Sequence, residues 1–247
     1  MAIVKSNKGN VLYLTFSNTE KLNSLEPEDW NTMTEYLHEF ESGNERFLVL
    51  RGEGDNFSTG AQLSQDTVSL MSDVTTMAKT LWNLSKPVIS VVDGLVVGAS
   101  ANIALMSDFI ICSNEAKFIE IFSKRGLVID FGGGWLLPRL IGNARAKELS
   151  ILGERLPAEK AYEWGLINRL TEDSNLLEES LKISKELANG PMSLRLIRKA
   201  FWESSDNTYE EQLNLERELQ FQAGNSEDFR EGVQAFLDKR DAEFKGK

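Results

Sequence analysis

Residues 86–113 read KPVISVVDGLVVGASANIALMSDFIICS, and they constrain the fold more than any other stretch. The most apolar part, 88–107, is broken by Asp93 and crowded with small residues. It reads as strand, turn and helix, not as a membrane span of ~20 apolar residues. A second strand, DFIICS, follows directly. The same alternation runs through the first two thirds of the chain. VKSNKGNVLYLTF is a hairpin turning at Lys8-Gly9-Asn10. PEDWNTMTEYLHEFE is a helix with acids in its first turn. RFLVLRGEGDNFSTGAQL is a buried strand that ends in a glycine-containing loop, and residues 66–84 have the period of a helix. Strands alternating with helices predict an α/β fold with crossover connections. From about Asn175 every segment reads as helix, so residues 1–190 are assigned to the α/β core and 191–247 to a helical C-terminal region.

Composition excludes several kinds of chemistry. A net charge of −11 leaves no basic surplus for neutralising phosphates, so no nucleic-acid partner is expected. The N-terminus carries no secretory pattern, and no membrane association is expected. Cys112 is the only cysteine and sits in a strand-like run, where it reads as a small core residue. With no disulfide to form, the chain fits a cytoplasmic location. His38 is the only histidine and belongs to a charged helix, so a Ser-His-Asp or Cys-His engine would have to use it. Zinc sites built from several His and Cys are excluded, and no metal is expected.

Two strand-to-helix turns, FSTGAQL (57–63) and DGLVVGASAN (93–102), lack the spacing of phosphate-binding glycine motifs. Each can aim backbone N–H groups outward. Converging, they would make an oxyanion hole, although glycine also serves ordinary tight turns. In RGLVIDFGGGWLLPRLIG (125–142), Asp130 stands between an apolar run and three glycines. It either caps the helix that opens there or moves protons. Apolar neighbours Val128, Ile129 and Phe131 would raise its pKa and make it a stronger base.

Taken together these stretches, with EKLNSL (20–25) and the final EDFREGVQAFLDKRDAEFKG, closely resemble the enoyl-CoA hydratase/isomerase, or crotonase, superfamily. The resemblance implies a ClpP/crotonase-like spiral of ββα units with a C-terminal helical trimerisation region, assembled as a trimer or dimer of trimers. It implies an acyl-CoA thioester as substrate and partner, with CoA part of the substrate and no separate cofactor. The N–H groups of Ala61 and Ala99 map to the pair that holds the thioester enolate, with Gly60, Gln62 and Leu63 around the first. Lys21, Leu22 and Ser24 resemble the loop that holds the adenosine end of CoA, although exposed lysines are ordinarily just solvated. Phe122 and Trp135 either line the acyl pocket or pack in the core. The charged tail, with Lys239, Arg240, Lys245 and Lys247, reads as solvated.

The chain departs from the family hydratases at both of their glutamates, which fall at Asn102 and Phe122 here. Glu120, two residues before Phe122, is expected to face a polar edge if 118–122 is a strand. Asp130 is similar in placement to the acid/base residue of the branch containing 1,2-epoxyphenylacetyl-CoA isomerases and Δ3,Δ2-enoyl-CoA isomerases, despite Ile129 and Gly134 where that branch usually has proline and threonine. The resemblance therefore implies enoyl-CoA isomerisation through Asp130. The alternatives are hydration or decarboxylation on the same fold, and a catalytically silent acyl-CoA-binding protein.

Overall fold

A computed structural model describes residues 3–247. The expected hairpin is β1 (Ile3–Lys8) and β2 (Val11–Phe16), paired antiparallel with Lys8 opposite Val11. β2 then pairs in parallel with β3 (Phe47–Gly52). The crossover between them is α1 (Pro27–Ser42), which buries Trp30, Met33, Leu37 and Phe40 on one face. Parallel pairing continues through β4 (Val88–Val92), β6 (Phe109–Ser113) and β9 (Arg169–Thr171), giving the order β1-β2-β3-β4-β6-β9. A second sheet stands apart from the first. It joins β5 (Leu95–Val97), β7 (Lys117–Ile119) and β8 (Arg155–Pro157) in the order β5-β7-β8. Because β4 and β5 are separated only by Asp93-Gly94, one run of chain leaves the large sheet and enters the small one. Gly94 takes φ +49°, and a Cβ there would lie 2.0 Å from the Asp55 carbonyl oxygen. Only glycine lets the two segments pass that closely.

The remaining helices are α2 (Met71–Trp82), α3 (Ala99–Leu105), α4 (Gly133–Ile141), α5 (Asn143–Leu152) and α6 (Ala158–Glu163). α3 is buried at every position. Two expectations change. The 66–84 helix begins only at Met71, after a short 3-10 turn over Thr67–Leu70. There the Thr67 hydroxyl accepts from Ser64 N–H and the Ser69 hydroxyl donates to the Asp66 carbonyl. Polar side chains of this kind compete with the helical backbone pattern. Strand β7 also stops at Ile119 and does not reach Phe122. Residues Ile121–Arg125 form a 3-10 turn closed by Gly126 at φ +69°. Strand alternation therefore cannot be used to place Glu120.

The C-terminal helices are α7 (Leu176–Ala188), α8 (Ser193–Glu203), α9 (Tyr209–Gly224) and α10 (Glu227–Asp238). One half-buried carboxylate docks α8 on the core, pairing with the buried Arg198. Asp108 accepts from the Val88 N–H (2.8 Å), Arg198 Nε (2.9 Å) and Trp202 Nε1 (2.9 Å). Removing one partner from such a pair strands a buried charge. Asp108→Ala is therefore expected to cost about 3–5 kcal/mol, and calorimetry should show Tm falling by roughly 10 °C. The basic side chains of the tail are exposed, as expected, but its backbone is anchored. The Asp228 carboxylate accepts from the backbone N–H groups of Met192, Lys245 and Lys247 at 2.7–3.0 Å. Arg240 pairs with Glu231 at 2.6 Å.

Candidate active site

The turns at 57–63 and 93–102 lie side by side. Val97 N–H donates to the Ser58 carbonyl at 3.0 Å, and the Ser100 hydroxyl donates to the same oxygen at 2.7 Å. On the other flank, Leu25 N–H donates to the Gly60 carbonyl and Gln62 N–H to the Leu25 carbonyl, both at 2.8 Å. Gly60 is the closest point of approach. It takes φ +79°, and a Cβ there would stand 2.5 Å from the Val97 carbonyl oxygen and 3.4 Å from the Ala99 nitrogen. Among the described residues, nothing accepts from the Ala61 or Ala99 N–H groups. Each is thus a fixed donor without an acceptor, positioned by a turn whose other polar groups are satisfied. That is what stabilisation of a developing oxyanion requires.

Asp130 lies in the loop that enters α4. It does not cap that helix: the N-terminal residue is Gly132, and no side chain caps it. The Asp130 backbone carbonyl accepts from Gly133 N–H (2.9 Å) and from Asn102 Nδ2 (3.1 Å). Its side chain is left for other work, since Oδ1 is buried and has no hydrogen-bond partner. Burial raises the Asp130 pKa to about 6, as expected for a carboxylate short of water and donors. The apolar neighbours contribute unequally. Phe131 is buried against Trp30, whereas Val128 is 84% exposed and removes no water from Asp130. Two successive left-handed residues follow, Phe131 at φ +50° and Gly132 at φ +79°. A bulky residue in that region costs on the order of 1–3 kcal/mol, and such strain gathers at functional sites.

Glu120 does not face a polar edge. It is 2% exposed and its Oε2 lies 3.5 Å from Asn102 Nδ2. Burial first, and then the nearby Asp130 charge, raise its pKa to about 8. The one sequence signal for this placement is the apolar company of Glu120 in KFIEIF, which strand alternation disguised. Asn102, at the first of the two replaced glutamate positions, touches both carboxyl-bearing residues. It fits because Gly133 has no side chain, since a Cβ there would lie 2.2 Å from Asn102 Oδ1. Phe122, at the second, is buried, and its ring lies where a Cβ on Gly98 would approach within 3.7 Å.

A cavity of about 350 Å³ opens between α2 and α4, lined by Trp82, Met106, Phe131, Trp135 and Leu136. Trp135 therefore lines a cavity, with Trp82 edge-on at 5.0 Å and the Arg139 guanidinium 3.7 Å from its ring centre. Since Phe131 and Gly132 belong to this wall, the cavity begins where the Asp130 loop ends. A larger hollow of about 510 Å³ lies around Arg51, Tyr13 and Asp93 and contains none of these groups. Lys21 lies at the surface beside the 57–63 turn, with its ammonium 2.8 Å from Glu26 and 3.3 Å from Gln62 Oε1. Leu22 and Leu63 are exposed, whereas Ser24 is buried.

A family model described as enoyl-CoA hydratase/isomerase matches residues 6–247. The chain is 40% identical to the 1,2-epoxyphenylacetyl-CoA isomerase of Escherichia coli (strain K12), over 96% of this chain and 95% of that protein. It is 36% identical to the trans-2-decenoyl-[acyl-carrier-protein] isomerase of Streptococcus mutans, over 82% and 81% of the two chains. The crystal structure of an enoyl-CoA hydratase from Polaromonas sp. JS666 superposes with a TM-score of 0.93 at 31% identity, covering 99% of this chain and 100% of that one.

Proposed function

The chain belongs to the enoyl-CoA hydratase/isomerase family, and we propose that within it the protein is an isomerase that moves a double bond relative to a thioester carbonyl. The observation that carries this reading is the half-buried Asp130 side chain, raised in pKa to about 6 and holding one buried oxygen, Oδ1, without a partner. The thioester oxygen of a 3-enoyl substrate lies between the N–H groups of Ala61 and Ala99. Asp130 takes a proton from C2, and that C–H electron pair spreads into a dienolate whose negative oxygen the two donors stabilise. Asp130 returns the proton to C4, the carbonyl re-forms, and the double bond lies between C2 and C3. One carboxylate serves both transfers, and no water enters the balance. The 350 Å³ aromatic-walled cavity takes the acyl group. CoA enters as part of the substrate, its adenosine end near Lys21, Leu22 and Ser24, with Gln62 and Leu63 on the adjoining turn.

The C-terminal helices support self-association into a trimer or dimer of trimers. Phe201, Phe221 and Phe236 expose large apolar surface on α8, α9 and α10, which a monomer gains nothing by showing to water. Among the described residues no helix is long and apolar enough to cross a membrane. A cytoplasmic location is proposed, in keeping with the buried lone thiol of Cys112.

Hydration is the second reading, favoured by one observation: a second carboxyl group, Glu120, shares the pocket with Asp130. Incubation with short-chain and aryl 3-enoyl-CoA and 2-enoyl-CoA thioesters separates the two. Isomerisation gives 2-enoyl product of unchanged mass. Gain of one water from the 2-enoyl thioesters, with no interconversion of the 3-enoyl set, would overturn the isomerase reading in favour of hydration.

A further inference from the structure

We infer that Glu120 is a positioning residue that acts on Asp130 through Asn102, keeping its own proton so that Asp130 is the only ionised group in the pocket. The inference rests on the isomerase reading of Asp130. Its basis is a cluster in which Glu120 occupies neither of the two positions where the family hydratases carry their glutamates. Asn102 Nδ2 donates to the Asp130 backbone carbonyl and lies 3.5 Å from Glu120 Oε2, so one buried amide links the Asp130 loop to the Glu120 carboxyl, while burial and the Asp130 charge outweigh its pull toward the ionised form of Glu120.

The surroundings leave Glu120 little besides Asp130 to respond to. α3 faces it with Asn102. Gly153, which follows α5, stands close to it, since an added Cβ there would come within 3.2 Å of the Glu120 carbonyl oxygen. β5 pairs with the strand before it, Val97 opposite Ile119, and Gly98 N–H just beyond donates to the Ile119 carbonyl, while β8 places Arg155 opposite Ile119 with its side chain exposed. Lys124 and Arg125, on the same turn, are exposed as well. Like charges in one poorly hydrated pocket do not ionise together, so the less buried acid ionises first. Asp130 loses its proton near pH 6 while Glu120 is still neutral, and burial alone opposes that step. Glu120 then titrates near pH 8 against a charge already present. Between those values the pocket holds one negative charge and one proton. Above them, a second charge opposes the enolate that the site must stabilise.

The test follows the Glu120 proton directly. The carboxyl C=O infrared band of wild type, Glu120→Gln and Asp130→Asn is titrated from pH 5 to 10, alongside the kcat/KM profile of wild type and Glu120→Gln. A buried carboxyl titrating near pH 8 in wild type is expected to vanish in Glu120→Gln and to move down in pH in Asp130→Asn, where the opposing charge is gone. The alkaline limb of kcat/KM is expected to disappear in Glu120→Gln. A Glu120 titration unmoved by Asp130→Asn, or an alkaline limb unchanged in Glu120→Gln, would overturn the inference. The Asp130→Asn titration leaves Glu120 intact, so the result stands even if Glu120→Gln folds poorly. If instead Asp130→Asn keeps full activity, the isomerase reading fails first and takes this one with it.

Discussion

Asp130→Asn is expected to lower kcat for double-bond migration by about 10²–10⁴-fold, the usual contribution of a positioned proton-transfer group. Thioester binding should stay within a few-fold of wild type, because the amide keeps the shape and the Ala61 and Ala99 donors are backbone groups. Wild-type kcat should rise with pH through about 6, since only the ionised carboxylate accepts a proton, and hold until the second carboxyl group ionises near 8. Stability should move the other way. The folded state raises the Asp130 pKa, so it binds a proton more tightly than the unfolded chain does. The stabilising contribution is complete below about pH 4 and is lost as pH rises through about 6. At pH 8 the neutral asparagine escapes that loss, and the variant should melt a few degrees higher than wild type while being nearly inactive. At pH 4 the two Tm values should converge.

Gly60→Ala is expected to reduce kcat/KM by about 10²–10³-fold, comparable to losing one oxyanion donor. The cause is spatial rather than chemical. At φ +79° any Cβ is strained, and here it would lie 2.5 Å from the Val97 carbonyl oxygen. The clash has backbone on both sides, so no side chain can rotate away. The 57–63 and 93–102 turns must separate, and the Ala61 and Ala99 N–H groups separate with them. Since the strain falls on two turns and leaves the helices and sheets in place, circular dichroism should remain close to wild type. A variant with full activity would mean that the two donors need not converge.

How much of this was legible in the sequence depended on whether neighbours in the chain are also neighbours in space. The β1–β2 hairpin, the β4–β5–α3 run and the C-terminal helices follow from local period and turn residues, and they stand where the sequence puts them. The split into two sheets could not be read locally, because β5 and β7 pair across a helix and a strand. Glu120 shows the limit most sharply. Read as part of a strand, its side chain goes to an edge. The 3-10 turn after Ile119 instead directs it to a helix two segments away, into contact with Asn102. For Asp130 the sequence left two readings open, cap or proton carrier. Only the position of the helix cap, two residues on at Gly132 with the helix starting at Gly133, removes the first.

The most direct test of the central claim is exchange of the C2 hydrogens of a 3-enoyl-CoA thioester in D₂O, followed by NMR for wild type and Asp130→Asn, with binding of the same thioester measured by calorimetry. The account predicts deuterium at C2 and C4 and migration of the double bond with wild type. With Asp130→Asn, both should fall by at least about 10²-fold at unchanged affinity. Equal exchange in the two proteins would contradict it, leaving Asp130 as a structural residue of the loop and placing the base elsewhere in the pocket.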